Sequence, residues 1–286
     1  LLLENLRFHK EEEENDHAFA SSLASLADLY VNDAFGTAHR AHASTQGVTR
    51  YIPAVAGFLV EQEMKMLGDA LDQPKRPLCA VMGGAKVSDK IGVLNHMLQK
   101  VDQILIGGGM AATFLHSLGN QVGASMIEED KVNLATEIMG RVKGLGITLR
   151  LPEDVVVAET FSSDSIVRVV TIDQIPNGWH IMDIGPKTVD CFRKTLDRSR
   201  TVIWNGPLGV MEYPPFTKGT TIIAKHIASL RDVVTIVGGG STAEAITAMG
   251  LNGRMTHVST GGGASLEFLE GHDLPGITAL LDKEVA

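Results

Sequence analysis

Cysteine, excess basic charge and long apolar runs are all scarce in this chain, and each scarcity closes off a class of function. Only Cys79 and Cys191 occur among 286 residues. They lie far apart and outside metal-ligand spacing, which argues against a disulfide framework or a zinc site and fits a reducing, cytoplasmic setting. With 25 basic against 34 acidic residues the net charge is −9, the wrong sign for a nucleic-acid or anionic-membrane surface. No uninterrupted apolar run approaches the ~20 residues that span a bilayer, and no signal-peptide pattern opens the chain. An initiator methionine is also missing. The opening Leu1-Leu2-Leu3-Glu4-Asn5-Leu6-Arg7 reads as a strand already in progress and predicts an absent front portion. Two nucleotide signatures are lacking as well: Gly83-Gly84-Ala85-Lys86 does not have Walker A spacing, and no Gly-x-Gly-x-x-Gly carries an acidic residue at the dinucleotide distance.

Glycine at turns is what the chain does have. Four clusters stand out, at Gly83-Gly84, Gly107 to Gly109, Gly238 to Gly240 and Gly261 to Gly263. Three follow the apolar runs Leu78 to Met82, Ile104 to Ile106 and Val233 to Val237, the fourth follows Thr256 to Ser259, and all lead into helix-like sequence. Glycine lets backbone N–H groups approach an anion, and the helix N-terminus behind adds partial positive charge. In a parallel sheet such turns gather at one edge, so a polyphosphate ligand is expected there.

The rest of the pattern is α/β. Hydrophobic residues make up 44% and charged residues 21%, enough for a large core. Strands are expected near 78–82, 102–106, 147–150, 154–158, 166–171, 201–204, 233–237 and 256–258. Helices are expected near 88–99, 110–118, 128–143, 186–197, 217–229, 241–249 and 264–270. Continuous apolar strands alternating with helices imply a parallel sheet covered on both faces, with 159–175 as an antiparallel insertion. Ahead of these, Asp16 caps a helix through about Leu29, Tyr30 to Asn32 forms a short strand, and a long amphipathic helix runs from Val55 to Leu71.

Lys86 and Lys90, four apart after the first glycine turn, either reach one phosphate together or are two solvated lysines. The loop Trp204-Asn205-Gly206-Pro207-Leu208-Gly209-Val210-Met211-Glu212 ends in an acid suited to ribose hydroxyls, with Asn205 able to face phosphates, or else is structural.

Taken with Leu2 to Phe8, with Asn32-Asp33-Ala34-Phe35-Gly36-Thr37-Ala38-His39-Arg40-Ala41-His42 and with Thr260-Gly261-Gly262-Gly263-Ala264-Ser265, these segments closely resemble phosphoglycerate kinase, in family order and over nearly the whole chain. The resemblance implies a three-layer α/β/α parallel-sheet nucleotide domain of that type plus a remnant of a second α/β domain. It divides the chain into 1–54 (remnant), 55–73 (interdomain helix), 74–271 (nucleotide domain) and 272–286 (a segment returning to the remnant). It also implies reversible phosphoryl transfer from 1,3-bisphosphoglycerate to ADP, giving 3-phosphoglycerate and ATP, with Mg²⁺, by a monomer whose domains close about a hinge.

By the same resemblance Arg7 and Arg40 hold phosphoglycerate, Lys86 stabilises the transferring phosphoryl group, and Lys90 binds nucleotide phosphate. Gly108 and Gly185 line the nucleoside pocket, Glu212 binds ribose, Gly239, Gly240 and Thr242 form a phosphate turn, and Gly262 and Gly263 present amides to the moving group. In the ATP-consuming direction the attacking group is a carboxylate, already ionised at neutral pH, and needs no general base, so His39 and His42 are expected to be loop hydrogen-bonders. Two departures stand against the family pattern. Ser241 occupies a position where the family commonly has a magnesium-ligating aspartate, and only about 55 residues precede the long helix, so the isolated chain is expected to bind nucleotide but turn over little. A nucleotide-binding module without transferase activity is the competing reading.

Overall fold

A computed structural model describes residues 1–280, which group into two compact units: Leu1–Leu67 with the chain from Thr260 onward, and Gly68–Ser259. The sequence divisions at 54, 73 and 271 follow motifs, whereas contact density divides the chain inside one helix and just before the last glycine turn.

In the first unit, α1 (Lys10–Glu13) and α2 (His17–Ala24) precede β1 (Tyr30–Asn32) and β2 (Ala54–Ala56), which pair in parallel. Asp16 caps α2 as expected, accepting the Phe19 N–H at 2.8 Å, but the helix stops at Ala24 and leaves Leu26 and Leu29 exposed. Residues Leu1 to Leu3 do not form the expected strand. They have no ladder partner among the described residues and are exposed, and a strand exists only through pairing. α3 (Phe58–Asp72) starts after the Val55 expected from the sequence, because Ala54–Ala56 pair with β1 as a strand, and it is capped by Asp33, whose carboxylate accepts the Leu59 and Val60 N–H groups at 2.6 and 3.3 Å.

The second unit is built on a six-stranded parallel sheet. It contains β3 (Leu78–Met82), β4 (Gln103–Ile106), β5 (Thr148–Arg150), β9 (Thr201–Asn205), β10 (Val234–Gly238) and β11 (His257–Val258) in the order β11-β10-β9-β3-β4-β5. β3 and β9 are buried at every residue, which explains their unbroken apolar character. The connecting helices are α4 (Ile91–Met97), α5 (Met110–Ser117), α6 (Val132–Gly144), α7 (Pro186–Leu196), α8 (Lys218–Ser229) and α9 (Gly240–Ala248). Phe192 of α7 and Ile223 and Ile227 of α8 join Trp204 and Val202 of β9 in the main core, each such burial contributing roughly 2 kcal/mol.

The antiparallel insertion expected over 159–175 is wider than that: β7 (Val167–Thr171) lies within it, but β6 (Asp154–Ala158) and β8 (His180–Ile184) flank it, in a three-stranded sheet in the order β7-β6-β8. β8 was not legible in the sequence, because Asp183 breaks a short apolar run. The chain re-enters the first unit through α10 (Gly263–Leu269) and α11 (Pro275–Thr278). There Asn32 Nδ2 donates to the Gly276 carbonyl at 3.0 Å and the Gly276 N–H donates to the Ala38 carbonyl at 2.8 Å. Within the segment 272–286, where the resemblance also implies the family's final helix over Leu274 to Leu281, α11 ends at Thr278, and residues 281–286 lie outside the described residues.

Candidate functional site

Three glycine turns of the second unit interlock at the carboxyl ends of β3, β4 and β9. The Gly83 N–H donates to the Asn205 carbonyl and the Gly84 N–H to the Pro207 carbonyl, both at 2.9 Å, while the Gly108 N–H donates to the Leu208 carbonyl at 3.1 Å and the Met110 N–H to the Gly84 carbonyl at 3.0 Å. A Cβ on Gly83 would stand 2.1 Å from the Pro207 carbonyl oxygen, and one on Gly206, whose φ is +94°, 2.1 Å from that of Gly83. No other residue fits these two positions without moving backbone.

Asn205 lies at the centre, fully buried. Its Oδ1 accepts from the Lys90 ammonium, while its Nδ2 is buried without a partner among the described residues. A Cβ built on Gly239 would be 3.2 Å from that Nδ2, so the orphan donor lies beside the Gly238 to Gly240 turn that opens α9. A buried, unpaired amide nitrogen costs free energy unless something accepts from it, and an anionic oxygen at this turn is the chemically apt acceptor. Thr242 is also buried, and its Oγ1 accepts the Gly206 N–H at 2.8 Å, tying the fourth loop to the other three.

The remaining candidates of this unit are placed differently. Lys86, Glu212 and Ser241 are exposed and have no side-chain partner among the described residues. Gly185 is buried, and a Cβ there would meet the Asp154 carboxyl at 2.3 Å. That carboxylate accepts the Lys187 and Thr188 N–H groups at 3.0 and 2.8 Å and so caps α7.

In the first unit, Arg7 sits in a 3-10 turn with its guanidinium 3.9 Å from Glu13, and Arg40 is exposed with no ion pair among the described residues. Both act on His42. Burial pushes its imidazole below the ordinary value, Glu12 pulls it back up, and Arg7 and Arg40 lower it further. Gly262 (φ +52°) and Gly263 open α10, and a Cβ on Gly263 would come within 3.1 Å of His39 Nε2. The fourth glycine cluster therefore belongs to the first unit rather than to the three interlocked turns. His39 Nδ1 is buried without a hydrogen-bond partner among the described residues, so that nitrogen does not make the loop hydrogen bond expected of His39.

Sequence reasoning missed Asp183. From β8 its Oδ2 accepts the Gly219 N–H at 2.7 Å at the start of α8, and its Oδ1 accepts the Ile184 N–H at 2.9 Å. A Cβ on either Gly209 or Gly219 would come within 2.4 Å of Oδ1, so the loop after β9 packs on this carboxyl. Burial pushes Asp183 up to about 7 from 3.8, against the pull of those two hydrogen bonds. Between these values the folded protein holds a proton that the unfolded chain has released. The group's stabilising contribution is complete below about pH 4 and is lost as the pH rises through 7, about 4 kcal/mol in all. Melting curves of the wild type and D183N from pH 4 to 8 check this: the wild type is expected to lose ground to the variant as pH rises, and parallel curves would contradict it.

A sequence model described as "Phosphoglycerate kinase" matches residues 1–272. The chain is 56% identical over 283 residues to the phosphoglycerate kinase of Dictyoglomus turgidum, covering 99% of this chain and 72% of that one. It is 55% identical over 285 residues to a cytosolic phosphoglycerate kinase of Nicotiana tabacum, at 99% and 71% coverage. Among solved structures, that of phosphoglycerate kinase from Coxiella burnetii superimposes with a TM-score of 0.90 at 43% identity, covering 96% of this chain and 71% of that one. The enzyme from Pyrococcus horikoshii gives 0.83 at 33% identity with the same coverage.

Proposed function

The chain belongs to the phosphoglycerate kinase family, and we propose that its second unit binds Mg·ADP or Mg·ATP at the interlocked glycine turns for reversible phosphoryl transfer with 1,3-bisphosphoglycerate and 3-phosphoglycerate. The buried, unpaired Asn205 Nδ2 beside the Gly239 turn is the observation that carries this reading. Lys90, Asn205, Gly239, Gly240 and Thr242 take the nucleotide phosphates, Gly108 and Gly185 border the nucleoside, and Glu212 receives the ribose hydroxyls. Lys86 follows the phosphoryl group as a mobile point charge. Arg7 and Arg40 hold the phosphoglycerate, and the Gly262 and Gly263 amides face the moving group. Because the acceptor in the ATP-consuming direction is a carboxylate ionised at neutral pH, the protein's task is to position the reactants and neutralise charge rather than to move a proton.

Magnesium, when bound, neutralises the phosphate oxygens. Ser241 would offer it or a phosphate only a neutral hydroxyl and no compensating charge. The S241D variant is therefore expected to bind Mg·ADP roughly tenfold more tightly, since a hard cation gains an anionic ligand; equal or weaker binding by calorimetry would refute that role for position 241. A monomer in the cytoplasm completes the proposal.

Calorimetric titration of ADP with and without 3-phosphoglycerate, paired with a coupled transfer assay, tests the reading. Mutual tightening with turnover supports the kinase. ADP binding indifferent to phosphoglycerate supports a nucleotide-binding module instead, and no ADP binding overturns both.

A further inference from the structure

Residues 85–88, which carry Lys86, are braced at both ends. The glycine end is fixed by the Pro207 and Met110 hydrogen bonds to Gly84. The far end is fixed by Glu128, whose Oε2 accepts the Val87 N–H at 2.5 Å and the Ser88 N–H at 3.1 Å. Between the two braces Ala85 and Lys86 are exposed, whereas Val87 is fully buried.

Glu128 reaches the turn from 41 residues away in sequence, and its own backbone is held. Its N–H donates at 3.3 Å to the hydroxyl of Thr113, a buried residue of α5, the helix that follows the Gly107 to Gly109 turn. On the other side of the brace, the Val87 carbonyl accepts the Lys90 N–H at 2.8 Å, and the Lys90 ammonium reaches Asn205. The connection runs from α5 through Thr113, Glu128 and Val87 to Lys90 and Asn205. Burial opposes the charged carboxylate, but hydrogen bonds from Ser88 and Val87 outweigh it and hold Glu128 below its ordinary range, so it stays ionised at neutral pH.

We propose that Glu128 is a positioning residue for nucleotide phosphate: its carboxylate clamps the Val87 and Ser88 amides and thereby fixes the backbone from which Lys86 and Lys90 project. The proposal rests on the nucleotide reading of this unit. Glu128 does not touch the phosphates, and being an anion it would repel them. Its benefit comes only through the two lysines, so its loss should penalise phosphate recognition and spare the nucleoside.

The test compares ATP with adenosine, each titrated calorimetrically into the wild type, E128A and E128Q. E128A is expected to weaken ATP roughly tenfold, the cost of losing hydrogen bonds to a charged acceptor, while adenosine stays within about twofold. E128Q keeps a neutral acceptor and should fall between the wild type and E128A for ATP alone. ATP affinity unchanged in E128A, or an equal loss for adenosine, would overturn the proposal. Should E128A not fold, E128Q decides by the same two criteria. A wild type that binds neither ligand would refute the nucleotide reading itself, whereas normal wild-type binding with an indifferent variant would refute only the role of Glu128.

Discussion

Replacing Lys86 with alanine is expected to lower kcat for phosphoryl transfer by about 10³-fold, in line with removing one preorganised charge-stabilising group. The expectation combines chemistry with structural freedom. Lys86 is exposed, has no ionic partner among the described residues, and is preceded by Gly84, whose φ of +107° only glycine adopts readily. An exposed side chain with no hydrogen bond or ion pair among the described residues contributes little to the fold, so Tm should stay within about 1 °C. The KM for ADP should change little, because Lys90 and Asn205 carry the ground-state phosphate contacts. A coupled assay and a melting curve read both quantities. Unchanged kcat, or a loss of activity that tracks a fall in Tm, would remove Lys86 from its proposed role.

The second large effect is structural. Gly206→Ala places a methyl 2.1 Å from the Gly83 carbonyl oxygen at a residue whose φ is +94°. Backbone strain of this kind and overpacking each cost roughly 1–3 kcal/mol, so the substitution should destabilise the second unit by about 4 kcal/mol and lower Tm by roughly 10 °C. Because the clash falls on the turn that carries Gly83 and Gly84, ATP binding should be lost even below the melting range. Gly253→Ala is the matched control: its Cβ would meet nothing within 4 Å, and thermal denaturation should hardly register it. Equal Tm shifts in the two variants would mean that the interlocked turns do not bear the strain argued for them.

The parallel sheet was readable because β3, β9 and β10 are buried on both faces and their sequences are correspondingly continuous and apolar. The turns were readable because Gly84, Gly108, Gly206 and Gly239 all have positive φ, a demand that leaves glycine in the sequence. β8 was hidden by Asp183, a carboxyl kept inside the protein by N–H donors, one of them 36 residues away. Glu128 was hidden in the same way, since no local pattern announces a carboxylate whose partners lie 40 residues distant or more. The strand expected at Leu1 to Leu3 failed for the converse reason: apolar character was present, but no pairing partner was found among the described residues. Local conformational demands and two-sided burial are written in sequence; polar contacts between remote segments are not.

Amide hydrogen exchange of the full chain with and without saturating Mg·ATP tests the nucleotide site most directly. Slowed exchange should concentrate in residues 83–90, 107–110, 205–209 and 238–243, the segments joined through Gly83, Gly108, Asn205 and Thr242. Exchange that ATP leaves unchanged in all four segments, or slows only elsewhere, would contradict the site.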